Sequence, residues 1–150
     1  MTISGRITWG YATEQSAPPL LRLALEALRR EKAPLVSLQS CNGDPCGWVR
    51  GVAECLAKGQ CRGALIFCAS ASPACCVANK VKGIRAAKVD SLDELQEALA
   101  GLGANVLIVD PAGKTYFEFR QMLKLCLASP AACPPGVACV IEELEGHAHR

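Results

Sequence analysis

Aromatic residues are scarce in this chain, 5% of 150 residues, which leaves few platforms for stacking bases or sugars. An excess of either charge is lacking too: sixteen Lys and Arg stand against fourteen Asp and Glu, a formal net charge of +2. With no basic run to track a phosphate backbone, nucleic acid is not an expected partner. Every apolar stretch is interrupted before the roughly eighteen residues that suggest a membrane-spanning helix. The opening segment MTISGRITWGYATEQSAPPL has neither the basic start nor the apolar core of a secretory signal. Neither a membrane nor export is expected, so the ten cysteines are assigned to a reducing cytoplasm, where they stay thiols. No Cys-x-x-Cys occurs, and the spacings 41/46, 55/61, 61/68 and 133/139 are too loose for ordinary zinc ligand pairs. Adjacent Cys75 and Cys76 should face different sides of a helix, so no metal is expected. Gly-x-Gly-x-x-Gly and a Walker lysine are missing as well, which removes the usual nucleotide loops. Histidine is nearly absent: His147 and His149, both in the last four residues, are all there is, and they read as a solvated end.

What the chain does have is 51% hydrophobic residues, enough at this length for one domain over residues 1–150. A domain of this size buries roughly 68–70% of its extended-chain surface without staples. Short apolar runs alternate with amphipathic segments, the pattern of a parallel sheet with crossover helices. Five strands are predicted: Arg6 to Gly10, Pro34 to Leu38, Gly63 to Phe67, Ile84 to Val89 and Asn105 to Val109. Several are apolar almost throughout, as strands covered on both faces should be. The fold class is therefore α/β, a Rossmann-like three-layer α/β/α sandwich around a five-stranded parallel sheet.

Among the helices, one is predicted to start after Pro18-Pro19 and run through LLRLALEALRR, because proline at the first helical position removes a donor that would lack a partner anyway. Ser91 and Glu94 form a predicted capping box over SLDELQEALAGLG, ended by Gly101 or Gly103. A further helix covers Tyr116 to Leu127, Ser129 to Gly136 is a proline-rich connector, and GVACVIEELEG is helical.

In an open parallel sheet the ligand crevice lies beyond the carboxyl ends of the strands, so residues just after each strand are the candidates. Cys68 stands out. It closes the run GALIF and precedes ASASPACCVANK, where small residues keep the backbone open before a helix whose N–H groups would favour a thiolate. The bland alternative is a small apolar residue at a strand end. The cationic candidates for an anion are Lys80, Lys82, Arg85 and Lys114, of which Lys114, beyond the last strand, is the best placed.

The stretch GALIFCASASPACCVANKVKGIRAA, followed by GANVLIVD, resembles the ribose-5-phosphate isomerase B and galactose-6-phosphate isomerase family. There a strand ending in Cys leads into a Gly-Thr/Ser-Gly-x-Gly loop, then Ala-Asn-Lys, Gly-Ile-Arg-Ala and an Asn-Val-Leu strand. The matching residues are Cys68, Ser70, Ala78, Asn79, Lys80, Gly83, Ile84, Arg85, Ala86, Asn105, Val106 and Leu107. The resemblance implies a homodimer, or a tetramer built from it, with active sites at the subunit interface and a phosphorylated sugar as ligand. It also implies aldose–ketose interconversion through an enediolate with neither metal nor cofactor. On that template Cys68 is the base and Ser70 a hydroxyl contact, and Glu14, Ala69, Ala71, Ser72, Asn79 and Lys114 are the substrate-binding candidates.

The departures from the template are specific. The loop glycines become Ala69, Ala71 and Pro73, and proline has no N–H to offer an oxyanion. The early Asp-His pair aligns with Glu14 and Gln15, so the imidazole is missing. The His-Asn before the Asn-Val-Leu strand becomes Gly101 and Leu102, and of the phosphate-binding C-terminal arginines only Arg150 remains. Three functions follow. One is an isomerase with Cys68 as base; another is a catalytically silent dimeric binding or assembly module; the last is an enzyme on an unphosphorylated or smaller substrate with Cys68 as nucleophile.

Overall fold

A computed structural model describes residues 8–147 except 15 and 39–43, with the backbone alone at 147. Its elements are β1 (Trp9–Thr13), α1 (Pro19–Arg30), β2 (Leu35–Ser37), α2 (Pro45–Ala57), β3 (Gly63–Phe67) and α3 (Ala71–Asn79). They continue as β4 (Ala86–Lys88), α4 (Leu92–Gly101), β5 (Val106–Val109), α5 (Tyr116–Ala128) and α6 (Pro135–His147). All strand pairs are parallel, in the order β2-β1-β3-β5-β4. The three-layer sandwich expected from the alternating pattern is the architecture found. No helix among the described residues is long and apolar enough to cross a membrane.

The winding direction decides which helix covers which face, since a right-handed crossover puts its helix on the side set by the direction of travel. One face of the sheet carries Ala64, Ile66, Val106 and Ile108 and packs with α2 and α3 residues such as Val49, Ala53 and Ala74. The other carries Trp9, Leu65, Phe67, Leu107 and Val109 and packs with α1, α4 and α5 through Leu21, Leu28, Leu95, Phe119 and Leu123. The central strands β3 and β5 are buried at every residue.

Residues 6 and 7 of the predicted strand Arg6 to Gly10 lie outside the described residues, and the rest of that range needs correction. The strand runs from Trp9 to Thr13, paired Trp9 to Gly63 and Thr13 to Phe67. Gly10 reads as a strand end by composition, yet it sits inside the strand because the Leu38 side chain lies across it; a Cβ there would meet Leu38 atoms at 2.6 Å. Gly63 plays the same part for Trp9, whose ring would be 2.7 Å from an added Cβ. The indole then donates to the Ser129 carbonyl at 3.3 Å. The other strands differ from expectation only by trimming at their ends.

α1 begins on Pro19, with Leu21, Ala24 and Leu28 on its buried face. At α4 the Ser91 hydroxyl accepts from the Glu94 N–H at 3.1 Å, but the Glu94 carboxylate accepts from Asp90 N–H rather than from Ser91, so the predicted box closes one residue early. The full reciprocal box stands at α5, between Thr115 and Glu118. The connector after α5 is shorter than predicted, since α6 already starts at Pro135, a proline suited to the first helical turn.

Candidate functional site

Side chains alternate across a strand, so Phe67 and Cys68 must face opposite layers. Phe67 looks to the α1/α5 side, where its ring meets Phe119 edge-on, centroids 5.7 Å apart. Cys68 turns to the α2/α3 side, wholly buried in the cluster that holds Ala12, Val49, Ile66, Ala71 and Ala74. Its backbone N–H extends the sheet by donating to Val109 O at 3.0 Å.

Beyond β3 the chain turns through Ala69 and Ser70 into α3. Ser70 is the N-cap, yet its hydroxyl makes no capping bond and is exposed. Ala71 is buried, whereas Ser72 is exposed in the first turn. Pro73 leaves that turn with fewer backbone donors than an ordinary helix start.

A hollow of about 180 Å³ lies over the carboxyl ends of β1, β3 and β5 on the Phe67 side. Its wall includes Thr13 and Glu14 after β1, Ser16 to Pro18 leading into α1, Phe67 and Ala69 at β3, and Asp110 to Ala112 after β5. This is the switch point of the sheet, where the chain reverses its winding between β1 and β3 and where open α/β sheets hold ligands. The Glu14 carboxylate accepts a short hydrogen bond from the Ala69 N–H, and the Glu14 N–H donates to Phe67 O at 3.2 Å. The Asp110 carboxylate accepts from Ala112 N–H at 3.0 Å. Lys114 is half-buried with its ammonium on the Asp110 carbonyl at 2.7 Å.

Of the sequence candidates, the structure thus gathers Glu14 and Ala69 on the hollow, holds Lys114 on the carbonyl of the wall residue Asp110 without adding it to the lining, and sets Cys68 one residue back from Ala69, buried in the other layer. Asn79 lies at the far end of α3. Its amide donates to Ala86 O at 2.9 Å and accepts from Ala86 N–H at 2.8 Å, tying α3 to β4. Gln15, His149 and the side chain of His147 lie outside the described residues. Sequence reasoning missed Thr13, Ser16 and Asp110. Asp110 directly follows the VLIV strand, so the rule that pointed to Cys68 points equally to it; Thr13 was hidden by the misplaced first strand.

The other thiols are unfavourable as anions where they are covered. Burial pushes Cys126 well above the ordinary thiol range. Burial, then the neighbouring Cys55, raises Cys61. Burial likewise raises Cys75, which is half-buried beside exposed Cys76. Among the described residues no three His, Cys, Asp or Glu side chains cluster as metal ligands.

The ribose 5-phosphate isomerase of Thermotoga maritima superposes with a TM-score of 0.75 at 15% identity, over 91% of this chain and 99% of its own. Ribose-5-phosphate isomerase B from Mycoplasma genitalium, solved with ribulose-5-phosphate bound, gives 0.75 at 21% identity over 97% and 98%. The type B enzyme of Trypanosoma cruzi gives 0.73 at 18% identity over 92% and 95%. At these identities the likeness establishes the fold. No curated protein matches the chain significantly. The family model described as Ribose/Galactose Isomerase matches residues 43–126, more than half of the sequence, and this chain belongs to that family.

Proposed function

We propose that the protein binds a phosphorylated sugar or a related small molecule over the carboxyl ends of β1, β3 and β5 and interconverts its aldose and ketose forms through an enediolate. Cys68 is the base that carries the proton between C1 and C2, and Ser70 gives a hydroxyl to the sugar. The backbone of Ala69, Ala71 and Ser72 borders the ligand, Glu14 accepts from it, and Lys114 supplies a nearby positive charge. Asn79, bound to β4 on both of its amide groups, is left to the fold. The observation that carries this reading is Cys68 at the head of the turn into α3, next in sequence to two wall residues of the switch-point hollow. The protein works as a cytoplasmic homodimer; exposed Val140 and Leu144 on α6 support self-association, and no disulfide joins the described cysteines.

One observation favours the silent module instead. The Cys68 side chain is wholly buried, so proton transfer requires the Cys68–Ala71 turn to move first. Nuclear magnetic resonance of C2 proton exchange for a panel of aldose phosphates in heavy water separates the two. Exchange that falls roughly 10²–10⁴-fold in Cys68→Ser supports the isomerase. No exchange by the parent, with a parent-like fold in the variant, supports the module.

A further inference from the structure

We propose that the space between the edge strand β2 and the helix α2 is a second binding site, and that its ligand is an uncharged, largely apolar ring molecule carrying one carbonyl acceptor. This hollow shares no described wall residue with the one over the switch point, so the site stands whether or not a sugar binds there.

The space follows from how α2 lies on the sheet. Its heaviest packing is with α3 and β3, which leaves its outer flank over the edge strand thinly supported. Trp48, Gly51, Val52 and Cys55 stand at i, i+3, i+4 and i+7 on that flank, one helical face. Val36 and Leu38, alternate residues of β2 and its continuation, form the facing wall. Together they border about 470 Å³, within the roughly 300–1,000 Å³ of small-molecule sites, and Val36 is left 45% exposed.

Gly51 keeps the hollow open. Glycine inside a helix is less stable than alanine, yet a Cβ at Gly51 would meet nothing within 4 Å. Packing among the described residues does not call for glycine there; room for a ligand does.

The chemistry of the ligand is set by what the wall can pair. The Trp48 indole N–H is buried without an acceptor among the described residues, so it has given up its hydration with nothing in return. Trp9 shows the ordinary outcome, its indole donating to the Ser129 carbonyl. Trp48 is half-buried, and its N–H meets a ligand oxygen after a rotation about χ2, a broad torsion. No Lys, Arg, Asp or Glu stands among the described wall residues, and Ser37 and Gln60 add uncharged polar groups. On the same helix Arg50 and Glu54 pair with each other at 3.4 Å. An ion entering the hollow would therefore lose hydration without gaining a counter-charge, whereas a carbonyl satisfies the indole without that loss. The helix α6, whose exposed residues support self-association, is tied by Glu145 to Gly83 ahead of β4, at the opposite edge of the sheet. The hollow stands apart from that surface.

The test is a titration of the full chain with three probes, read by the indole N–H resonances of Trp48 and Trp9. The probes are 1-tetralone, tetralin, which has the same rings and no acceptor, and 1-naphthoate, which carries a charge. 1-Tetralone is expected to move the Trp48 signal saturably and leave Trp9 in place. Its Kd should lie about three- to tenfold below that of tetralin and at least about tenfold below that of 1-naphthoate. Trp48→Phe, followed by the Gly51 amide, keeps an aromatic wall without the donor and should bring 1-tetralone to the affinity of tetralin. Gly51→Leu fills the hollow from a position where a Cβ meets no other atom, and should abolish binding of both while the Trp9 signal keeps its place. A Trp48 signal that ignores 1-tetralone overturns the proposal, as do equal parent affinities for 1-tetralone and tetralin, tighter binding of 1-naphthoate, or binding that survives Gly51→Leu. A Trp48 signal that moves on dilution of the protein alone assigns the hollow to a second copy of the chain and overturns it too.

Discussion

A thiol removed from water loses the solvation that makes its anion affordable, and Cys126, 1% exposed on the inner face of α5, shows the consequence most strongly. Desolvation alone raises its pKa far above the unfolded value near 9.0. For such a group the folded state keeps its proton while the unfolded state loses it, so its contribution to stability is intact below about pH 9 and declines as the pH rises further. We expect the unfolding free energy to fall in alkali by up to about 1.4 kcal/mol per pH unit from this thiol. Urea titrations at pH 8 to 10.5 should give a shallower decline in Cys126→Ala, by about one proton, whatever that variant loses in packing; an unchanged slope would mean the thiol does not titrate on unfolding. Burial of this kind was legible in the spacing of apolar residues. The side to which Cys68 turns was not, because a strand apolar on both faces carries no alternation to read. The contact between Glu14 and Ala69 was hidden for another reason: it spans 55 residues and depends on two strands being neighbours in the sheet.

Helix starts were the most readable of the local signals, since their chemistry is complete within four residues. Thr115 and Glu118 exchange both bonds of a capping box, at 3.1 Å and 3.0 Å. Ser91 makes only one of them, because Glu94 reaches Asp90. Thr115→Ala should therefore cost about 1 kcal/mol of stability, and Glu118→Ala should lose part of the same amount rather than add to it fully. Chemical denaturation of both single variants and the double variant checks this; full additivity would mean that the two bonds act separately. Strands were readable where they lie in the middle of the sheet and less so at its rim. β3 and β5 announce themselves by composition, while β1 was displaced because its carboxyl end, Thr13, is polar and half-buried and its glycine is interior. Placing Gly10 correctly requires knowing that Leu38, on the neighbouring strand's path, lies across it.

Taken together, the residues that carry the family resemblance fall mostly on the architecture. Asn79 ties α3 to β4, and Asn105 accepts from Arg85 N–H at 2.7 Å while donating to Gly83 O at 2.9 Å. Kinship was readable for that reason, and chemistry was less so: the motif records how the β4 edge is built, whereas the hollow lies over the ends of β1, β3 and β5, and the loops after β1 and β3 depart from the template. Arg85 makes the argument testable. Its guanidinium holds the Gly103 carbonyl through Nε and Nη2, at 3.2 Å and 2.9 Å, and the Ala131 carbonyl at 2.9 Å. Gly103 adopts φ +61°, and a Cβ there would run into the Ala132 carbonyl, so the connector to α6 passes directly over this turn. The far end of α6 is tied separately, by Glu145 accepting from Gly83 N–H at 2.7 Å. Arg85→Ala strips a charged donor from two carbonyls at once and should cost about 1.5–3 kcal/mol, with hydrogen exchange quickening at Ala131 and along α6 before it does in β3. Arg85→Lys keeps the charge on a single point donor that cannot span both carbonyls, so it should recover less than half of the loss. A parent-like urea midpoint in Arg85→Ala, or equal quickening in β3 and α6, would show that the connector is held by packing alone.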